Sequence, residues 1–399
     1  MMATAHRPLG TILMIQSMVV AEAHRRGGLG KHMLTNYLEF VCGESLKQPV
    51  LEVAIVAEKE YFNFFLTAGF SIMRPLTLVD GKDQQYLFQK SLELKKIGRE
   101  CYIVDSFAAE AGTGNPAGVV LLPEDSDEKA LSNWMQNVAA EFNLSETAFC
   151  WPRAASECSN SELHWNIRFY TPTVEVALCG HATLASAAVL YQILPNSSQS
   201  RIVLHALEDL LTTELAKNAD NHGLRQRKIC MEFPAKPPIE ITANKDKNII
   251  SNMMKEAFSC QLEPLYVGLS EIGDILVEVT RESFENIGFE NLNYSALLEW
   301  DGYSRGIIVC SSNDTVDNKE GNFDFLSRFF GPKAGINEDP VTGSAHCALA
   351  PYFASKLGKD SVVGKQMSVR GGFVECMVTG ESVQLTGTAI TTMSGVLWI

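Results

Sequence analysis

Two segments of the chain, with their glycines 163 residues apart, look like copies of one design. The first reads Cys179-Gly180-His181-Ala182-Thr183-Leu184-Ala185-Ser186 and stays apolar to Tyr191. The second reads Thr342-Gly343-Ser344-Ala345-His346-Cys347-Ala348-Leu349 and stays apolar to Ala354. Each opens on glycine and small residues and continues rich in alanine. A helix that is apolar all round is a buried helix. Two buried helices at matching places predict a duplicated domain with a cleft between its halves. Helix starts carry unpaired N–H groups and the positive end of the helix dipole. Two such starts facing one cleft would hold a small molecule bearing a carboxylate.

The 399 residues leave room for two or three domains. A hydrophobic share of 46% excludes wholesale disorder. The formal net charge of −14 argues against nucleic acid as a partner, because phosphate binding needs clustered Lys and Arg. The ten cysteines form no C-x-x-C pair and no regular framework. With no secretion signal, they are expected to be reduced thiols in the cytoplasm. Thr11–Val20 is apolar but too short to span a bilayer and lacks a basic leader, so it reads as a strand. No membrane partner is expected.

A charged linker, 93–100, divides the chain. Residues 1–92 read as strand, helix, strand, helix, strand: Ile12–Val20, Gly30–Val41, Val50–Val56, Glu58–Ala68 closed by Gly69, and Gln85–Leu92. Beyond the linker, residues 101–399 form a larger unit. Its first half spans about 101–218, with strands at Tyr102–Phe107, Ala117–Leu122, Ser145–Cys150 and Leu163–Tyr170. A helix covers Asp127–Phe142, and Arg201–Leu215 resembles a hairpin. The polar stretch Lys217–Gln226 crosses to a second half, about 226–385. Strands are expected there near Lys228–Phe233, Ile275–Val279 and Gly306–Cys310. The last strands return to the first half. The polar run Ser311–Asn322 should be an exposed loop.

Between the first strand and the first helix lies His24-Arg25-Arg26-Gly27-Gly28-Leu29-Gly30-Lys31. Glycines at such a junction let backbone amides close on a phosphate, and Arg25, Arg26 and Lys31 supply positive charge. The R-x-x-G-x-G spacing from Arg25 to Gly30, with Ala68-Gly69-Phe70 later, resembles the pyrophosphate loop of GNAT-type N-acetyltransferases. The resemblance implies acetyl-coenzyme A binding by Arg25, Arg26, Gly28, Gly30 and Lys31. Residues 1–92 match only part of such a domain. Phe65 stands where many relatives carry a proton-donating tyrosine, and Tyr61 lies one helical turn earlier.

From about residue 100 onward the chain resembles the phenazine-biosynthesis PhzF-like family. The matching pieces follow family order: Asp105-Ser106-Phe107; Gly114-Asn115-Pro116-Ala117-Gly118; Asn143-Leu144-Ser145-Glu146-Thr147; Phe169-Tyr170-Thr171-Pro172 with Glu175; Leu178-Cys179-Gly180-His181-Ala182-Thr183; Glu338-Asp339-Pro340-Val341-Thr342-Gly343-Ser344-Ala345; and Arg370-Gly371-Gly372. The resemblance implies an α/β (α+β) fold of the diaminopimelate-epimerase-like kind. In it, two pseudo-symmetric halves each wrap a sheet round a central helix. It also implies a homodimer and cofactor-free chemistry.

A glutamate among Leu144, Ala148 and Phe149 at the edge of a dry cleft has its pKa raised from about 4.3. It can then take a proton from carbon and return it elsewhere. The resemblance assigns that acid/base role to Glu146 and places His181 and Asp339 in the same site. Asp339 is expected to pair with His181 across the cleft and fix its tautomer. Ser344, with the amides of Gly343 and Ala345, would bind the substrate carboxylate, and Gly180 and Ala182 would present matching amides. Asn115-Pro116 is expected to shape a turn near the cleft, and Glu175 to orient the loop before Cys179. Cys179 lacks a partner thiol before Gly343, which argues against a two-thiol epimerase and leaves a small buried residue. Histidine spacings show no metal constellation.

The leading expectation is therefore a cytoplasmic PhzF-like isomerase with an appended acetyltransferase-like module. One alternative is an acetyl-coenzyme A-dependent N-acetyltransferase with a PhzF-like regulatory or binding domain. Another is a non-enzymatic metabolite-binding protein, in which Glu146 and Asp339 would lie exposed or apart.

Overall fold

Alternation of apolar and polar residues along the larger unit dictates strands, and the alanine-rich runs dictate helices buried among them. The computed structural model describes residues 4–5, 12–15, 32–34, 36–38, 52–58, 61–68, 70–76, 85–91, 98–124, 126–154, 162–194, 201–216, 226–260, 262–288, 292–313 and 322–398. Its compact units are residues 1–98 with 398–399, and residues 99–397.

The smaller unit holds strands β1 (Thr4–Ala5), β2 (Ile12–Ile15) and β3 (Glu52–Glu58), helix α1 (Phe62–Thr67), then β4 (Ser71–Leu76) and β5 (Gln85–Ser91). The sheet order is β1-β2-β3-β5-β4. β2 and β3 run parallel, with helical residues 32–34 and 36–38 between them in sequence. Leu34, Leu38, Val53, Ile55, Phe65, Phe70 and Phe88 form its core. Phe65 thus packs inside against Phe70 and Phe88. Residues 24–31, and with them Arg25, Arg26, Gly28, Gly30 and Lys31, lie outside the described residues.

The larger unit begins with β6 (Gly98–Ser106), β7 (Asn115–Leu121), α2 (Glu128–Phe142), β8 (Glu146–Pro152), β9 (Glu162–Tyr170), β10 (Glu175–Val176), α3 (Gly180–Ile193), β11 (Arg201–His205) and β12 (Leu210–Leu215). β13 (Gln226–Pro234), β14 (Ile239–Glu240), α4 (Asn244–Phe258), β15 (Pro264–Leu269), β16 (Ile275–Val279), α5 (Arg281–Glu285), β17 (Ile307–Ser312), β18 (Phe325–Gly331) and β19 (Ile336–Asp339) follow. The unit ends with α6 (Gly343–Leu357), β20 (Ser361–Gln366), β21 (Gly372–Thr379) and β22 (Ser382–Trp398).

In the first half the pairing runs β6-β7-β8-β9-β11-β12-β13-β22 and returns from β22 to β6, so the sheet closes around α3. α3 is buried from His181 to Tyr191, which its small side chains permit. The second half pairs β14-β15-β16-β17-β18-β20-β21-β22. There α6 is buried through Ala345, Ala348, Leu349 and Phe353, and these side chains share one core with Ala182, Leu184 and Ala185 of α3. The mixed α+β architecture with a sheet around a helix matches the sequence reading. β22 pairs with β13 of one half and β21 of the other, so a single strand stitches the halves together.

Two expectations fail. The strand near Lys228–Phe233 was expected to open the second half after a crossing at Lys217–Gln226, but β13 pairs with β12 and β22 in the sheet around α3, so the chain leaves the first half only after Pro234. Ser311 and Ser312 are not loop residues but the buried end of β17. Their hydroxyls do not need water: Ser312 Oγ donates to the buried Glu278 carboxylate at 2.9 Å. Among the described residues no helix is long and apolar enough to cross a membrane.

Candidate active site

Local structure brings Glu146 to its place in three steps. Asp127 caps α2 by accepting from the N–H groups of Lys129 and Ala130. Asn143 ends the helix in the left-handed conformation that asparagine tolerates (φ 49°). Three residues later the chain enters β8, with Glu146 as its first residue.

The two glycine starts meet. A Cβ placed on Gly180 would stand 3.6 Å from Gly343 Cα and 3.8 Å from Ser344 N. Neither start is capped by a side chain: Cys179 makes no capping hydrogen bond, and neither does Thr342. Threonine is a good cap, but the Thr342 hydroxyl is turned to Asp339 Oδ2 instead. Ala182 and Ala345 are buried, and Ser344 is half-buried.

Glu146 and His181 sit together beside these starts. Glu146 Oε2 lies 3.3 Å from His181 Nε2, with the two side chains 12% and 6% exposed. The approach is out of line for a hydrogen bond, so Nε2 is buried without one. Burial pushes the Glu146 carboxyl up to about 7, the nearby Asp339 charge pushes the same way, and a hydrogen bond from the Cys179 thiol pulls back. Burial pulls His181 down to about 3, so the imidazole is neutral at physiological pH. Asp339 is raised to about 6 by burial, against the hydrogen bonds from Thr342 and Asn115.

Asp339 does not pair with His181 as the sequence led us to expect. The Asn115 side chain stands between them. Its Nδ2 donates to Asp339 Oδ1 at 2.8 Å and to Val341 O at 2.9 Å, and lies 3.2 Å from His181 Nδ1. Asn115 is fully buried as the first residue of β7, so its task is not merely to shape a turn. Arg370 fixes the loop before it, donating to Gly114 O at 2.8 Å, to Thr113 O at 3.1 Å and to Asp105 Oδ1 at 2.7 Å. Gln366 fixes the other side, donating to Asp339 O and accepting from Thr342 N.

Other contacts were not foreseen. Arg305 Nη1 donates to Ser344 Oγ at 2.8 Å, and the same guanidinium is clamped by the buried Asp274. A single arginine ahead of a strand carries no signal of this in the sequence. Arg328, itself buried, holds Glu338 with two hydrogen bonds of 2.6 and 2.9 Å and so anchors β19 next to Asp339. Glu175 lies 3.8 Å from Arg168, which is held more closely by Glu128.

Cys179 is more than filler. Its Sγ lies 3.4 Å from His181 Nδ1. Burial and the adjacent Glu146 raise its pKa well above the ordinary thiol value, so it stays protonated. Ligand atoms of Glu146, Cys179 and His181 all lie within 4.8 Å of one another, a set that could hold a metal ion. Sequence spacing had shown no such constellation, because Glu146 comes from a different strand. The second thiol, Cys347, is buried inside α6 rather than at its start.

The phenazine biosynthesis-like protein family (PhzC-PhzF) matches residues 104–395. The chain is 38% identical over 292 residues to an uncharacterized isomerase of Halalkalibacterium halodurans, covering 73% of this chain and 96% of that protein. It is 33% identical to the phenazine biosynthesis-like domain-containing protein 2 of Mus musculus, covering 74% and 98%. Among solved structures, a PhzF-family phenazine biosynthesis protein of Enterococcus faecalis matches with a TM-score of 0.61 at 31% identity, over 76% of this chain and all of that one. The smaller N-terminal unit lies outside the family match. By the extent of these matches the chain belongs to the PhzC-PhzF family of phenazine biosynthesis-like proteins and is an isomerase.

Proposed function

We propose that the larger unit isomerises a small carboxylate-bearing, unsaturated or cyclic metabolite without a cofactor, using Glu146 to move a proton between carbons. The observation that carries this reading is the Glu146 carboxyl, buried next to two uncapped helix starts and pushed up to about 7. A carboxylate with that affinity for protons can accept one from carbon and give it back at neutral pH. The substrate C–H bond breaks, its electron pair moves into the conjugated system, and the proton goes to Glu146. The same proton then forms a new C–H bond at another carbon. Gly180 and Ala182 on one side, and Gly343, Ser344 and Ala345 on the other, would hold the carboxylate through their N–H groups and the Ser344 hydroxyl. His181 and Asp339 complete the catalytic set.

The burial of Glu146 and Asp339 beside one another's fields speaks against the purely metabolite-binding reading, which needs them exposed or apart. The test is solvent-deuterium incorporation into candidate unsaturated acids, with wild type against Glu146→Gln. General acid–base catalysis contributes about 10²–10⁴-fold, so the variant should fall by that order. Unchanged incorporation rejects the role of Glu146. The homodimer implied by the family is part of the reading, and light scattering on the purified chain tests it.

A second reading concerns the smaller unit. The parallel pair β2 and β3 with helical residues between them is the setting in which a glycine-rich segment binds phosphate. This supports acetyl-coenzyme A binding by Arg25, Arg26, Gly28, Gly30 and Lys31, and an acetyltransferase role alongside the isomerase. Calorimetry with acetyl-coenzyme A decides it: heat that disappears in Gly28→Glu supports the idea, and no heat removes it.

A further inference from the structure

We propose that Arg305 determines what the pocket at the second helix start accepts: it commits the Ser344 hydroxyl to donating, so that the pocket offers donors only and takes a carboxylic acid over the corresponding amide. The inference rests on the placement of the substrate carboxylate at the helix starts given above.

Arg305 is fixed from several sides. It lies just ahead of β17, and Asp274 lies just ahead of β16, the parallel neighbour. Gly273 adopts the left-handed conformation (φ 85°), and its carbonyl accepts from the N–H groups of Ser304 and Arg305, each at 3.1 Å. Asp274 is fully buried and grips one edge of the guanidinium, with Oδ1 on Nε at 2.8 Å and Oδ2 on Nη2. The Phe329 ring supports the group, its centroid 5.3 Å from Cζ. The guanidinium is planar and rigid, so gripping one edge also aims the remaining nitrogen. That nitrogen, Nη1, donates to Ser344 Oγ at 2.8 Å.

Arginine has no acceptor, so the direction of this bond is settled. It fills one lone pair of Oγ, and the positive charge behind it opposes a second N–H at the other. The hydroxyl is left to give its own proton. Around it stand the opening N–H groups of α6, which have no intrahelical acceptor. The ion pair with Asp274 is also the right way round, with its negative end buried and its positive end at Ser344. The charge is felt in the site, where it pulls the Asp339 carboxyl down against the effect of burial. A carboxylate is negative and accepts only, so it satisfies all of these groups. A carboxamide is uncharged and turns an NH₂ group towards the same donors, which leaves some of them unpaired.

The experiment is a proton–nitrogen NMR titration of the ¹⁵N-labelled full chain with sorbate, a small conjugated carboxylate, and with sorbamide, its uncharged amide. In wild type, sorbate should shift the backbone N–H signals of Gly343, Ser344 and Ala345 and the Nε–H signal of Arg305 in a saturable way. Sorbamide should bind about tenfold or more weakly, the worth of one hydrogen bond to a charged group. Arg305→Lys keeps a charge for Asp274 but cannot grip it and Ser344 together, so the preference for the acid should shrink towards parity. Arg305→Met combined with Asp274→Asn removes both charges without stranding a buried carboxylate and should do the same. An arginine that merely braces the fold would weaken both probes alike, so an unchanged ratio in a folded variant overturns the proposal. Equal affinities in wild type, or an Arg305 Nε–H signal that sorbate does not move, overturn it even if neither variant folds. Sorbate that leaves Gly343, Ser344 and Ala345 unshifted removes the proposal together with the carboxylate placement. None of these readouts depends on turnover, so a failure here is distinct from a failure of Glu146 to exchange deuterium.

Discussion

Replacing Glu146 by glutamine should make the folded protein more stable, and only on the alkaline side. In the folded chain the carboxyl holds its proton up to about pH 7, against an ordinary value of 4.5. Between those values the folded state keeps a proton that the unfolded state has lost. The unfolding free energy therefore falls as pH rises through this window, and the deficit persists above it. The gap corresponds to on the order of 3 kcal/mol. Glutamine carries no such term, and its introduction also removes the like charge that Glu146 presents to Asp339. Below the window both states of the wild type are protonated, and the two proteins should differ only by lost hydrogen bonds. The assay is urea unfolding of the full chain at about pH 5 and about pH 8, followed through the buried Trp151 and Trp165 of the larger unit. The difference between variant and wild type should grow in favour of the variant by about 2 kcal/mol or more across that interval. A difference that stays constant would mean that Glu146 titrates like a solvated carboxylate, and the argument from a dry site would collapse.

Asp339→Asn removes the charge that helps hold Glu146 up, so the acid limb of the deuterium-exchange pH profile should move to lower pH; an unmoved limb would deny that the two carboxyls feel each other. Gly180→Ala adds a methyl at ordinary contact distance from Gly343 and Ser344, so thermal unfolding should change by less than about 1 kcal/mol while substrate KM rises. Gly372→Ala would drive its methyl to 2.3 Å from Phe107 O, and soluble yield or Tm should fall sharply, by an amount in the range of about 3 kcal/mol or more. Dialysis against a chelator should leave deuterium exchange unchanged. Loss restored by zinc would instead assign Glu146, Cys179 and His181 to an ion.

Both glycine starts were legible because their signal is local: glycine, then an unbroken run of small apolar residues, can be little else than a helix meant for the interior. Glu146 was legible for a similar reason, as an acid placed among apolar strand residues after a helix. Asn115 was not. Its partners His181 and Asp339 lie 66 and 224 residues away, and nothing in Gly114-Asn115-Pro116 announces them. That distance also explains the wrong pairing of His181 with Asp339: charge complementarity favoured a direct contact, while the backbone inserted an amide. Ser311 and Ser312 misled because polarity was read as exposure. In a strand, a hydroxyl can be satisfied by a neighbouring buried carboxylate, as Glu278 does for Ser312. Arg305 and Asp274 show no periodicity or motif, and only the closed sheet brings them to Ser344.

The stitching of both halves by β22 has a consequence for how the chain is made. The sheet around α3 lacks the neighbour of β13 until residues 382–390 exist to pair with it. Well over a hundred residues of the second half must leave the ribosome first. The first half cannot finish folding on its own during synthesis, and its apolar edges wait exposed for their last partner. Such long-range pairing is slow to form, and waiting edges invite association with other chains. Nascent protein of this architecture should therefore lean on chaperones until the final segment arrives.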